Sequence, residues 1–457
     1  MTVFEGFLST PEMRELWGER AFVQAMLDVE AALARAQAEA GLVPAAAAEA
    51  IAAACEVERV DAGAIVAASG RAGSLAIPLV KALTEAVAHS DAAAARWVHW
   101  GSTSQDVVDS ASVLLTRRAL ALVERDLDRL TAALFDLAAQ HGQAPLLART
   151  LLQPAQVVSL GLKLSHWIAP LVRARERLAR DAAQALQLQL GGAVGTLAVM
   201  GERGAEVARR MAEALRLALP AAPWHTERDA WVVLGCSLGV LAGTLGKLAR
   251  DWSLLTQAEV GELAEPSGEG RGGSTAMPHK RNPVACMLAL AAAERVPARV
   301  AALLHAMAQE HERGLGNWQA EGAEWAGLFV ALHGGLKALA DAAEGLQVDT
   351  ERMRANIDRL HELVYAEALA ARLAPGLGKA QAHARVEDWS RTALRERRWL
   401  SEVAREALAA DASQRDAIGA AEWDALFDPD AAAAPARRLA AARLVELRAQ
   451  WQAAQAR

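Results

Sequence analysis

The sequence predicts an all-α chain built around a bundle of long helices, and three observations predict it. Alanine, leucine, arginine and glutamate dominate the 457 residues, and these side chains lose little rotamer freedom in a helix. Aromatic residues make up only 4%, and isoleucines number six, so the β-branched and aromatic stock of large sheets is thin. Apolar positions beyond Asp106 keep a seven-residue repeat, the pattern of one helix packing along another.

Bulk composition bounds the function. With 53% hydrophobic and 23% charged residues, the chain can bury large cores, and its length suggests roughly two to four domains. A net charge of −7 and a pI near 5.9 lack the basic footprint of a nucleic-acid partner. An anionic substrate would have to be met by local positive charge. Cys55, Cys236 and Cys286 are widely spaced and form no CxxC, which argues against zinc or a redox pair and for reduced thiols. The first residues lack a basic and then apolar leader, so a cytoplasmic location is expected.

The first hundred residues read as several short amphipathic helices, separated by turn signals at Gly41-Leu42-Val43-Pro44 and Ser69–Ser74. A long helix follows Asp106. Its seam is Val113, Leu120, Leu127 and Leu134, with Val123, Leu130 and Leu137 between, broken only at Thr116. Further long helices are expected over about 155–190 with a kink at Pro170, over 228–263, and over 284–312 with Pro297 inside. At ~1.5 Å per residue these are rods of about 40–50 Å. Seams wider than one partner can cover imply a bundle and an oligomer.

Residues 230–246 carry no charge, and Gly235, Gly239 and Gly243 stand in small-xxx-small register. The run falls short of the ~20 apolar residues of a membrane span. Arg228, Asp229, Lys247, Arg250 and Asp251 flank it. A core helix packed backbone-close is expected, with no membrane partner. From about Leu360 shorter helices return, with loops at Asp428-Pro429-Asp430 and Ala434-Pro435.

Residues 266–283 are the least helical stretch between strong helices. Gly268, Gly270, Gly272 and Gly273 precede Ser274 and Thr275, and the cations His279, Lys280 and Arg281 follow. Glycines free the backbone, Met277-Pro278 stiffens the centre, and Asn282-Pro283 opens the next helix. Lys280, Arg281, Asn282 and loop N–H groups suit an anion. A solvated linker is the alternative, but the density of small and cationic residues favours a ligand-binding loop. The GxGxxG match at Gly268–Gly273 follows a helix rather than a strand, so it is no dinucleotide fingerprint.

This loop, Gly273-Ser274-Thr275-Ala276-Met277-Pro278-His279-Lys280-Arg281-Asn282, resembles the GSSxxPxKxN signature of the fumarase/aspartase superfamily, with threonine at the second serine. Gly101-Ser102-Thr103-Ser104-Gln105-Asp106 and Arg149-Thr150-Leu151-Leu152-Gln153-Pro154-Ala155 match two further regions in the family's order. The resemblance implies three domains, 1–105, 106–358 and 359–457, with the signature loop at 266–283. It also implies a homotetramer whose central helices form one bundle, with each active site shared between subunits.

By the same resemblance Ser274 is the base that takes a proton from carbon next to a carboxylate. Lys280 and Asn282 then bind the carboxylate whose charge grows, Arg281 adds positive charge, and Thr150 and Gln153 bind substrate. No cofactor or metal is implied; His305, Glu310 and His311 lack HExxH spacing. Thr103 and Ser104, just before a helix, suit a carboxylate, while Ser104 or Asp106 as a simple cap is the alternative. His99 contacts substrate, orients its loop, or packs between Trp97 and Trp100. His141 either lines the site or caps the helix it ends. His279 is read as non-catalytic.

Within the superfamily the amine-eliminating adenylosuccinate branch carries histidine where Leu151 stands here. Leucine cannot protonate a leaving nitrogen, whereas a departing carboxylate, with a conjugate-acid pKa near ~4, needs no proton. The resemblance therefore implies the cycloisomerase branch, which closes a lactone on a carboxymuconate tricarboxylate in protocatechuate breakdown. Leu75–Lys81, Pro223–Asp229 and Gln309–Trp318 resemble that branch too, although Gln319 stands where histidine is expected. A fumarate-releasing lyase and a non-catalytic helical scaffold are the alternatives.

Overall fold

The computed structural model describes residues 3–268, 270–415 and 417–455. Helices dominate, and the strands among the described residues form two small antiparallel pairs. The all-α reading holds. The chain forms two compact units, each assembled from separate stretches. The first holds the chain up to Asp128, Ala174–Lys247 and Met287–Leu339; the second holds Arg129–Arg173, Leu248–Cys286 and the chain from Ala340.

The first unit begins with helices that local chemistry delimits. Thr10 caps Pro11–Leu16 by accepting the Met13 N–H, and Asp61 caps Ala62–Ala72 by accepting that of Ala64. Gly73 ends the latter at φ +76°, a left-handed conformation that favours glycine. The Glu19–Glu39 helix, at 21 residues, is not short. It buries Val23, Met26, Leu27 and Leu33 as one stripe, and Glu30 and Gln37 fall on that same stripe.

Ser104–His141 runs for 38 residues. Its seam is fully covered within the single chain: Val113, Val123 and Leu127 are 0% exposed and Leu120 3%. In the second unit Leu130 and Leu134 are 0% exposed and Leu137 8%. The expectation that this seam needs another subunit is therefore corrected. Thr116 breaks the repeat because its hydroxyl accepts the Trp325 indole N–H at 2.8 Å, a partner that a buried indole usually finds.

Asp229–Leu255 is long and apolar enough to span a membrane, yet 61% of its most apolar window is buried inside the chain. The close approach expected of its glycines is real at two of them. A Cβ on Gly235 would lie 2.8 Å from Leu303, and one on Gly239 2.8 Å from Val300. Gly243 is exposed with open space beside it; the third close contact is instead Gly246, 2.5 Å from Ala293. Trp231 stacks on Trp325 at 3.9 Å.

The second unit departs further from expectation. Residues 155–159 are not helix. Pro145–Thr150 and Gln153–Ser159 form a hairpin, and the helix starts only at Leu160 and ends at Ala185, with Pro170 inside. The turn between the strands is Leu151-Leu152, both with positive φ, +50° and +64°. That is the type I′ pattern, which usually announces itself as Asn-Gly, and Leu-Leu carries no such signal. The following long helices are Asp229–Leu255 and Val284–Ala306, shorter than expected, and Asn317–Ala343 is an additional one. Leu263–Ala264 ends the first of these runs by pairing with Gln347–Val348.

Pro429–Gln455 is one helix of 27 residues rather than a set of loops. Asp428 accepts the N–H groups of Asp430 and Ala431, Pro429 occupies the first turn, and Pro435 lies inside. Arg437 bonds the Asp430 carboxylate at 2.6 Å and its carbonyl at 3.3 Å, supporting the turn around Pro435. A separate core of Leu369, Leu373, Val386, Trp389, Leu400 and Trp423 holds the preceding helices.

Candidate active site

The signature loop lies in the second unit. Both of its ends are tied down. At its start, Glu265 accepts the N–H groups of Ala285 and Cys286 at 3.0 and 2.9 Å, so the carboxylate caps the helix that follows the loop. At its end, the Asn282 N–H donates to the Gly272 carbonyl at 2.9 Å, and its side-chain amide to Gly273 at 3.4 Å. Gly272 has φ +67°, and a Cβ there would sit 2.6 Å from the Asn282 carbonyl oxygen. Glycine is required at that position twice over.

Between these anchors the loop is mostly exposed. The Ser274 hydroxyl accepts the Met277 N–H at 3.1 Å, and the Lys280 N–H donates to the Met277 carbonyl at 3.1 Å. The Lys280 and Arg281 side chains are exposed. His279 is exposed as well and takes no part in the loop's hydrogen bonds.

Thr150 and Gln153 face each other across the hairpin turn and are exposed. Their hairpin is held by Arg149, which grips Glu262 with two nitrogens at 2.8 and 3.1 Å. Asn356 adds a bond of 2.8 Å to the same carboxylate, which is fully buried. His141 is half-buried at the helix end, where its carbonyl accepts the Ala144 N–H. The Leu151 and Leu152 side chains are 96% and 73% exposed.

Thr103, Ser104 and His99 lie in the first unit. Asp106 caps its own helix, as one alternative for this turn supposed: it accepts the Thr103 N–H at 3.0 Å and the Ser102 hydroxyl at 3.3 Å. The same buried carboxylate also receives the N–H groups of Gly191 and Gly192, both at 2.9 Å, and His225 Nε2 at 2.8 Å. Two further segments are thereby fixed to this turn. Neither the Thr103 nor the Ser104 hydroxyl is consumed in this capping. His99 is not simply packed between the tryptophans; its Nδ1 lies 2.6 Å from Glu30.

Sequence reasoning missed Glu30, Asp109 and Arg228. The signal for Glu30 was available, since an acid on an apolar helical stripe is out of place. Arg228 is buried between Asp109 at 2.8 Å and Glu321. Burial would push its guanidinium down, but the two carboxylates outweigh this and hold it up. Burial pushes the Glu321 carboxyl up, against the pull of Arg228. These three side chains line a cavity of about 570 Å³, walled by Trp17, Trp231 and Trp318. Its one lining cation is already matched by two acids, so a polyanion gains little there.

The side-chain ligand atoms of Glu12, Asp126 and His333 lie within 4.8 Å of one another, a spacing that could hold a metal ion. Arg125 already donates to both carboxylates, at 2.7 Å each, and takes a cation's place among them.

Comparison with known proteins agrees with the loop. A lyase family profile matches residues 7–298. A 3-carboxy-cis,cis-muconate cycloisomerase of Pseudomonas aeruginosa is 48% identical over 427 residues, covering 93% of this chain and 92% of the relative. A nitrosuccinate lyase of Streptomyces davaonensis is 43% identical over 422 residues, covering 90% and 87%. The crystal structure of the 3-carboxy-cis,cis-muconate lactonizing enzyme from Pseudomonas putida superposes with a TM-score of 0.91 at 44% identity, covering 98% of this chain and 99% of that one. The chain belongs to the lyase family, the fumarase/aspartase superfamily that its signature loop resembles.

Proposed function

We propose that this chain is a 3-carboxy-cis,cis-muconate cycloisomerase acting in protocatechuate catabolism, the β-ketoadipate route. The observation that carries the reading is high identity along nearly the whole chain to enzymes of that name, in sequence and in solved structure. One carboxylate of the substrate adds to a double bond, forming the lactone C–O bond. A carbon next to another carboxylate gains a proton. Ser274 supplies that proton in the lactonizing direction and removes it in reverse.

A serine hydroxyl is a poor carbon acid–base partner unless its anion is stabilised. The Met277 N–H already aimed at Ser274 Oγ supports such stabilisation, and Lys280 and Asn282 would take the carboxylate whose charge grows. Arg281, Thr150 and Gln153, and Thr103, Ser104, His99 and His141, complete the proposed substrate contacts. Proton transfer and ring closure of this kind call for neither metal nor organic cofactor.

A homotetramer with sites shared between subunits is part of the proposal, as are the cytoplasmic location and the division into 1–105, 106–358 and 359–457. Support for association comes from Val233 and Val240, 47% and 54% exposed one heptad apart on the Asp229–Leu255 helix.

The nitrosuccinate lyase similarity favours a second reading, elimination from a substituted succinate with release of fumarate. Nitrite, like carboxylate, departs without protonation, so Leu151 suits both. Supplying 3-carboxy-cis,cis-muconate and nitrosuccinate separately decides between them. Loss of the conjugated-diene absorbance supports the proposal; fumarate formation with no diene loss overturns it in favour of the second. Inactivity toward both, in a folded protein, would leave a scaffold.

A further inference from the structure

We propose that Glu30 is a positioning residue that orients His99 as a cationic ligand for a substrate carboxylate beside Thr103 and Ser104. The proposal rests on the reading of that turn as carboxylate-binding.

Glu30 is 1% exposed on the apolar stripe of the Glu19–Glu39 helix. One of its oxygens lies 2.6 Å from His99 Nδ1, and the other is buried without a hydrogen-bond partner. A buried carboxylate left partly unsatisfied is costly, and an apolar side chain would fill the stripe with no such penalty. Two turns along the same face, Gln37 donates to the Trp100 carbonyl at 2.6 Å. Two buried polar groups thus grip consecutive residues of the segment that leads into the Ser104–His141 helix.

That grip holds an uncommon backbone. His99 has φ +58°, a left-handed conformation that non-glycine residues adopt only when their surroundings impose it. The Ser102 N–H then donates to the His99 carbonyl at 3.3 Å, and the Thr103 N–H to Asp106. A continuous run of hydrogen bonds therefore links Glu30 to the proposed carboxylate turn. Since Nδ1 is engaged by Glu30, Nε2 is the ring atom left for a ligand, and the side chain is 17% exposed.

Charge points the same way. Burial pushes the His99 imidazole down, but the Glu30 charge, its hydrogen bond and the Asp106 charge outweigh that and hold it up. Glu30 from one helix and Asp106 from the other are the charged groups that face the ring, and both are negative. Of the nearby arginines, Arg228 is neutralised by two carboxylates and Arg313 bonds neutral acceptors. Arg228 sits between Asp109 and Glu321, and Arg313 donates to Gln105 and to the Ala193 carbonyl at 2.7 and 2.8 Å. A protonated His99 adds its charge to the one that Arg313 already brings to Gln105 of that turn.

The test uses the full chain and tricarballylate, an unreactive tricarboxylate. The His99 ring is titrated by NMR, assigned from its loss in His99→Gln, in wild type and in Glu30→Gln. The titration midpoint is expected to fall by about one pH unit or more in Glu30→Gln. Tricarballylate affinity near neutral pH should drop about tenfold, equally in Glu30→Gln and His99→Gln, with no further loss when they are combined. An unmoved midpoint overturns the proposal, as does unchanged affinity. If Glu30→Gln does not fold, His99→Gln alone decides: wild-type affinity overturns the proposal. Thr103→Ala and Ser104→Ala test the underlying reading separately; normal binding in both sinks that reading whatever Glu30→Gln does.

Discussion

In the proposed mechanism Ser274 and His99 carry the residue-scale chemistry, and each has a neighbour that would prepare it. The N–H of Met277 is directed at Ser274 Oγ, which favours the oxyanion over the hydroxyl. Glu30 does the corresponding work for His99. The His99 pair also makes stability depend on pH, with a sign that can be worked out. A histidine held above its unfolded value of about 6.5 stabilises the fold fully below that value. The contribution is lost as pH rises through the higher folded value. Denaturant midpoints of wild type should therefore fall across this window relative to those of His99→Gln. Parallel curves for the two proteins would show that the pair contributes nothing. Leu151 matters at this scale for what it cannot do, which is to hand a proton to a leaving group.

At the scale of elements, the glycines of the Asp229–Leu255 helix make opposite predictions within one rod. A Cβ on Gly246 would overlap Ala293, and one on Gly239 would crowd Val300, so alanine at either position should destabilise by about 1–3 kcal/mol. Gly243 faces open space within the single chain, and Gly243→Ala should stabilise the unassociated chain by up to about 1 kcal/mol through helix propensity. Chemical denaturation of the three variants checks both signs. The register of Gly235 and Gly239 was legible in the sequence because small residues at that spacing have one common use. Gly243 shares the spacing but not the face, a distinction that only the neighbours make. The Leu151-Leu152 hairpin was illegible because its turn residues are not the usual ones for positive φ. The Pro429–Gln455 helix was hidden by two prolines, one in its tolerated first turn and one supported by Arg437. The loop around Ser274 was legible through its glycines and cations. Glu30 was not singled out, since its meaning depends on a histidine 69 residues away.

For the whole molecule, the seam of Ser104–His141 is already buried in one chain, so the proposed association would use other surfaces, such as the stripe that includes Val233 and Val240. Sedimentation should give about four times the 48.4 kDa chain mass. If sites are shared between subunits, Ser274→Ala and a Thr103→Ala/Ser104→Ala double variant, each inactive alone, should regain activity when unfolded and refolded together. A monomer of full activity, or no recovery in mixed tetramers, would contradict that arrangement. The central claim is that the tethered loop brings the Ser274 hydroxyl to a carbon beside a substrate carboxylate. Its most direct test is the rate of diene loss from 3-carboxy-cis,cis-muconate with wild type and Ser274→Ala at equal folded concentration. The account expects the variant to turn over about 10²–10⁴ times more slowly, with tricarballylate binding retained; turnover within a few-fold of wild type would contradict it.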